Sequence, residues 1–185
     1  MSNFTFNETK IKGLYVIDVK TYCDNRGYFM ETYKEEDFTA AGLCYRFVQD
    51  NQSSSKKGVL RGLHFQKNYP QAKLVRVLKG EVFDVAVDLR KGSVTYGDWA
   101  GFVLSEENRR QIMIPRGFAH GFLVLSDEAE VAYKCDEKYH PEDEGGLLWN
   151  DHDIHVEWPD VGDIILSEKD RSYPTLSERR IEFSL

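Results

Sequence analysis

The chain has 185 residues, 41% of them hydrophobic and 30% charged, and its 11 Phe, 10 Tyr and 3 Trp make disorder untenable. That size suits a single domain. With 24 Lys+Arg against 31 Asp+Glu the net charge is −7, which argues against a nucleic-acid partner. No stretch approaches the roughly 20 apolar residues that span a bilayer, so no membrane partner is expected. The N-terminal MSNFTFNETK has no basic segment followed by an apolar one, so a cytoplasmic location is expected. Cys23, Cys44 and Cys135 are odd in number, widely spaced and outside any CxxC. Each reads as a small buried apolar residue, not as part of a disulfide framework or zinc knuckle.

Short β-type runs between turn residues dominate the chain. Leu14–Val19 is the first, and Tyr28–Tyr33 follows the turn-like Asp24-Asn25-Arg26-Gly27. The best helix candidate is Lys34–Ala41, acidic at its start and followed by Gly42. Arg46–Val48 reads as a strand, and the Lys- and Ser-rich 53–58 as an exposed loop. Val59–Phe65, Lys73–Leu78 and Glu81–Leu89 follow, the last two joined by a tight turn at Lys79-Gly80. In Glu81–Leu89, Phe83, Val85, Val87 and Leu89 share one face, and Asp84, Ala86 and Asp88 the other. Trp99–Leu104, Arg110–Ile114, Gly121–Leu125 and Glu130–Cys135 complete the strands. Such spacing predicts an all-β sandwich, jelly roll or barrel. From about residue 140 the pattern turns irregular, with Pro141, Pro159 and Pro174, and reads as a covering segment with short helical turns.

Several polar residues sit in strands where burial would disfavour them. In Leu60-Arg61-Gly62-Leu63-His64-Phe65, strict alternation puts His64 with Leu60 and Gly62, and Arg61 with Leu63 and Phe65. Taken alone, His64 reads as a hydrogen-bonded structural histidine. Arg61 demands a partner or a wet cavity. Lys73 reads either as a solvated edge residue or as a cation stabilising an oxyanion. Gln49 and Asn51, two apart on an extended run, suit hydrogen bonding to a polar ligand. His120 lies between a Gly-containing turn and an apolar strand. Tyr133 reads as core, or as a general acid if its hydroxyl meets a polar cavity. The paired histidines of a metal-binding cupin are missing, because Phe65 and Gln66 follow His64. His64 and His120 are too few ligands for a metal, and none is expected.

Nine stretches resemble the dTDP-4-dehydrorhamnose 3,5-epimerase family, in family order over most of the chain. They are DNRGYFME (24–31), QDN (49–51), LRGLHFQ (60–66), KLVRV (73–77), GEVFDVAVDLR (80–90), IPRGFAHGF (114–122), YK (133–134), LWND (148–151) and LSEKD (166–170). The resemblance implies one domain, residues 1–185: a cupin-like double-stranded β-helix jelly roll with a few short helices, covered by the segment from about residue 140. It implies a metal-free, cofactor-free homodimer whose N-terminal strands join the partner's sheet. The implied reaction inverts C3 and C5 of dTDP-4-dehydro-6-deoxy-D-glucose, giving dTDP-4-dehydro-L-rhamnose for dTDP-L-rhamnose synthesis. By the same resemblance His64 is the base, Asp170 its carboxylate partner, Lys73 the enolate-stabilising cation and Tyr133 the acid on the opposite face. Arg26, Glu31, Gln49, Asn51, Arg61, Lys73, His120, Glu144 and Lys169 are implied to contact the nucleotide sugar. An epimerase acting at C3 alone on a related 4-keto sugar nucleotide is the nearest alternative. A metal-dependent cupin enzyme and a non-catalytic sugar-nucleotide binding module are more distant ones.

Overall fold

A computed structural model describes residues 2–184. The N-terminal part holds β1 (Phe4–Glu8), β2 (Tyr15–Val19), the hairpin β3 (Tyr22–Asp24) and β4 (Gly27–Phe29), and helix α1 (Glu35–Ala40). The barrel strands are β5 (Gln49–Lys56), β6 (Leu60–Gln66), β7 (Lys73–Lys79), β8 (Glu81–Asp88), β9 (Trp99–Ser105), β10 (Gln111–Ile114), β11 (Phe118–Val124) and β12 (Glu128–Cys135). Strand β13 (Glu144–Gly146) and helix α2 (Glu168–Ser172) lie in the C-terminal segment.

One sheet runs β1-β2-β10-β7-β12-β5 and the other β13-β6-β11-β8-β9. Neighbouring strands in each sheet are mostly not consecutive in sequence, because the chain passes from sheet to sheet as a cupin-like jelly roll. Side-chain alternation sets the layers. Val75, Val77, Val82, Ala86, Phe122 and Val131 pack between the sheets. Leu63, Phe65, Val85 and Val87 face away from that core and are covered by Leu147, Ile154, Ile181 and Phe183 of the C-terminal segment. On the other outer face, Ile17, Leu74 and Met113 are covered by Phe38 of α1 and by Leu43. Phe38 is buried to 1% exposure, which contributes about 1.5–3 kcal/mol. Both sheets are thus sealed outside, and the polar end of the space between them is left for a ligand.

The predicted elements need four corrections. Strand β5 begins at Gln49 and runs through Lys56, so residues 46–48 are a connector and Ser53–Lys56 are strand, not loop. The turn is confined to Lys57-Gly58. As an edge strand with one face to water and the other to a wet interior, β5 has no apolar alternation to betray it. The strand expected over Tyr28–Tyr33 stops at Phe29. An N-terminal strand, β1, extends the first sheet through antiparallel pairing with β2. Finally, β6 does not alternate simply. His120 pairs with His64 and Phe122 with Arg61, so Gly121 alone stands opposite both Gly62 and Leu63. This bulge brings Arg61 onto the face that carries His64. A Cβ on Gly62 would lie 2.5 Å from the Cα of Gly121, and Gly62 has φ +145°. Only glycine fits there. Among the described residues no helix is long and apolar enough to cross a membrane.

Candidate active site

The interior cavity, about 280 Å³, opens where the polar ends of five strands converge. β5 contributes Gln49 and Asn51, β6 His64, β7 Lys73, β12 Tyr133 and β13 Glu144, while Gln66, Gln71 and Tyr139 complete the wall. A larger open cleft of about 470 Å³ lies between Trp149 and Trp158 on the covering segment. It holds none of the residues implied for catalysis or for nucleotide-sugar binding.

His64 and Asp170 are 106 residues apart in sequence, yet His64 Nε2 lies 2.5 Å from Asp170 Oδ1. Helix α2 delivers the carboxylate. Ser167 caps it, its Oγ accepting from the Asp170 backbone N–H at 3.1 Å and donating to Asp170 Oδ2 at 2.8 Å. Burial pushes the Asp170 carboxyl up, but the hydrogen bonds from His64 and Ser167 prevail and hold it below the usual range. With Nε2–H donating to Asp170, Nδ1 is left as the free basic nitrogen of the imidazole.

Lys73 extends from β7 towards Tyr133, its Nζ 6.0 Å from the ring centroid. Burial pulls its ammonium below an ordinary lysine, against the opposing pull of Cys135, Asp84 and Glu144. Tyr133 is held protonated. Burial, then the neighbouring Cys135, raise its phenol, and Arg61 opposes them. Arg61 is exposed rather than enclosed, so the solvent it needs is at hand, and its Nε donates to Ser55 Oγ at 3.1 Å.

Glu144 anchors the cavity mouth. It pairs with Lys169 Nζ at 2.6 Å and accepts from Tyr139 Oη at 2.5 Å. Burial opposes ionisation of Glu144, but the bonds from Lys169 and Tyr139 prevail and its carboxyl lies low. The same bond pushes the Tyr139 phenol up to about 12. The backbone N–H of Tyr139 donates to Gln49 Oε1 at 2.8 Å, and Gln49 Nε2 donates to Asn51 Oδ1 at 2.9 Å. A backbone N–H only donates, so it orients the Gln49 amide, and through it that of Asn51.

Six predicted residues are not on the cavity wall: Asp170, Arg61 and Lys169, which stand behind or beside it, and His120, Arg26 and Glu31. His120 stands beside His64 across the β6–β11 pair but is buried, its Nε2 2.9 Å and 3.0 Å from the two oxygens of the fully buried Asp84. Arg26 sits at the β3–β4 turn with its side chain 85% exposed, pairing with Asp24. Glu31 accepts a hydrogen bond from Asn3. Residues not predicted are Tyr139, Gln66 and Gln71 on the wall, and Asp84 behind it. Asp84 carried a visible signal, a carboxylate inside an apolar strand. Tyr139 carried none, since it lies in irregular chain. Among the described residues no group of three or more His, Cys, Asp or Glu side chains is placed to hold a metal ion.

A carboxylate-oriented histidine, a half-buried lysine and a protonated tyrosine around one cavity in a jelly roll define an acid–base enzyme. Such a set suits proton transfer next to a carbonyl, where a base, a cation and an acid each have a task. The sequence pattern of the dTDP-4-dehydrorhamnose 3,5-epimerase family matches residues 8–178, and the chain belongs to that family. It is 57% identical over 183 residues to the dTDP-4-dehydrorhamnose 3,5-epimerase of Methanothermobacter thermautotrophicus, covering 98% of this chain and 99% of that protein. It is 49% identical over 172 residues to the enzyme of that name from Escherichia coli, covering 92% and 93% of the two chains. Among solved structures it is similar to the dTDP-6-deoxy-D-glucose-3,5-epimerase of Legionella pneumophila, in complex with dTDP-4-keto-L-rhamnose. That match has a TM-score of 0.95 and 46% identity, over 98% of this chain and 100% of that one.

Proposed function

We propose that this enzyme converts dTDP-4-dehydro-6-deoxy-D-glucose to dTDP-4-dehydro-L-rhamnose, for dTDP-L-rhamnose biosynthesis, using His64, Asp170, Lys73 and Tyr133. The observation that carries the role assignment is the His64–Asp170 contact at the wall of a cavity that also holds Lys73 and Tyr133. C3 and C5 both neighbour the C4 ketone, so loss of either proton gives an enolate. Nδ1 of His64 takes the proton from carbon, and the imidazolium formed is stabilised by Asp170. The electron pair moves onto O4, where the Lys73 ammonium meets the developing charge. Its lowered pKa brings it closer to sharing a proton with that oxygen. Tyr133 then gives its proton to the carbon from the opposite face, inverting the centre, and water restores both groups. Each acid–base role is worth about 10²–10⁴-fold in rate.

Gln49, Asn51, Arg61, His120, Glu144 and Lys169 form the nucleotide-sugar side of this reading. Arg61 and Lys169 supply positive charge for a pyrophosphate within an acidic protein. His120 serves behind His64, fixed by Asp84. Arg26 and Glu31 act in a homodimer, reaching the cavity of a second copy. Support comes from the hairpin that carries Arg26, which leaves Tyr22, Tyr28 and Phe29 exposed at 46%, 54% and 66%. Of the three cysteines only Cys135 is buried as expected; Cys23 and Cys44 are exposed, and their free thiols suit a reducing compartment, the cytoplasm.

Purified protein incubated with dTDP-4-dehydro-6-deoxy-D-glucose and a rhamnose-forming reductase tests the reaction. Formation of dTDP-L-rhamnose is the expected result. A product inverted at C3 alone would reassign the chain to a single epimerase. Mixing inactive Arg26→Ala and His64→Ala proteins tests the dimer. Activity returning towards a quarter of wild type is expected, and none would refute the shared site.

A further inference from the structure

We infer that Tyr173 is a positioning residue for His64: its ring holds the imidazole edge-on while Asp170 holds Nε2, so one short helix clamps the base from two sides. The inference rests on the reading of His64 as the base. Tyr173 ends α2 with extended backbone, φ −65° and ψ 145°, three residues after Asp170. Its ring centroid lies 5.8 Å from that of His64, with the planes at 67°, within the range of edge-to-face aromatic pairs.

Strand β13 makes room for this. Gly146 is the register partner of His64, and a Cβ there would come within 2.5–2.7 Å of three Tyr173 ring carbons. The ring is therefore seated on bare backbone beside the imidazole. Its hydroxyl lies 3.4 Å from Glu144 Oε1, a weak contact. Beyond the ring lies a separate cavity of about 250 Å³, walled in part by Lys67, Arg179 and Tyr173 itself. Tyr173 is absent from the wall of the substrate cavity. It acts through His64, by limiting the tilt of the imidazole and by separating it from the second cavity.

The ring, not the hydroxyl, does this, which separates two variants. Tyr173→Phe keeps kcat within about twofold of wild type. Tyr173→Leu lowers kcat about 10–100-fold, the scale of a misplaced catalytic group, with KM and dTDP affinity within about threefold. Equal kcat in wild type and Tyr173→Leu, equal losses in both variants, or a change in KM alone would overturn the clamp. Should Tyr173→Leu not fold, Gly146→Ala displaces the ring instead, with the same loss expected. Imidazole NMR of ¹⁵N-histidine-labelled protein gives a reading independent of turnover. His64 resonances are expected to be sharp in wild type and Tyr173→Phe, and broadened or doubled in Tyr173→Leu. Unchanged His64 signals in Tyr173→Leu would overturn the clamp whatever the activity. A wild type without turnover that still shows the broadening on substitution would instead remove the epimerase reading.

Discussion

Replacing Asp170 with Asn separates catalysis from folding. The carboxylate is 6% exposed and accepts from His64 Nε2 at 2.5 Å. The amide has nearly the same shape, but it offers a donor as well as an acceptor, so the tautomer with Nδ1 free loses its advantage. Acid–base roles of this kind are worth about 10²–10⁴-fold, and a kcat loss of about 10³-fold is expected. A hydrogen bond to a charged group contributes about 1.5–3 kcal/mol net. At about 2–4 °C per kcal/mol for a chain of this size, Tm falls by about 3–12 °C. The variant therefore stays folded at 25 °C and binds dTDP within about threefold of wild type, because the carboxylate acts through His64. Turnover followed by NMR, thermal unfolding by circular dichroism and dTDP titration by calorimetry give the three readouts. A folded variant with kcat within tenfold of wild type would refute the pairing of Asp170 with the base.

Two further perturbations test other parts of the structure. Tyr133→Phe removes the opposite-face acid, and C5 inversion should fall more than C3 exchange, by about 10²-fold; equal loss at both carbons contradicts that role. Asp88 is fully buried, and against the effect of burial its bonds to Arg90, Ser93 and Thr95 hold its carboxyl below the usual range. Its contribution is therefore present above the unfolded value of about 3.9 and is lost as pH falls through the lower folded value. Asp88→Asn should cost about 3 kcal/mol at neutral pH by leaving Arg90 without its carboxylate. The Tm gap to wild type should narrow between pH 5 and pH 3, and a gap independent of pH would contradict the assignment.

Much of the barrel was legible because its strands alternate against a dry core. The two faces read for Glu81–Leu89 are those observed, with Phe83, Val85 and Val87 under the C-terminal segment and Ala86 between the sheets. The second half of strand β5 reads as loop for the opposite reason: neither of its faces is apolar, so nothing marks Ser53–Lys56 as strand. The bulge at Gly62 escaped because alternation assumes one residue per partner, and here two residues face Gly121. Within the site, His64, Lys73 and Tyr133 stand out locally as polar groups in apolar strands. Asp170 has no local signal at all, since the pair forms only when α2 folds across β6. It entered through family resemblance, as did Glu144 and Lys169. Tyr139 and Tyr173 come from irregular chain, where no periodicity marks a buried face.

The most direct test of the account is proton exchange. Wild-type protein in D₂O with dTDP-4-dehydro-6-deoxy-D-glucose, followed by proton NMR, should take up deuterium at both C3 and C5, and His64→Ala should take up none at either. Exchange at C3 alone in wild type, or undiminished exchange in His64→Ala, would contradict a single His64-centred site that inverts both carbons.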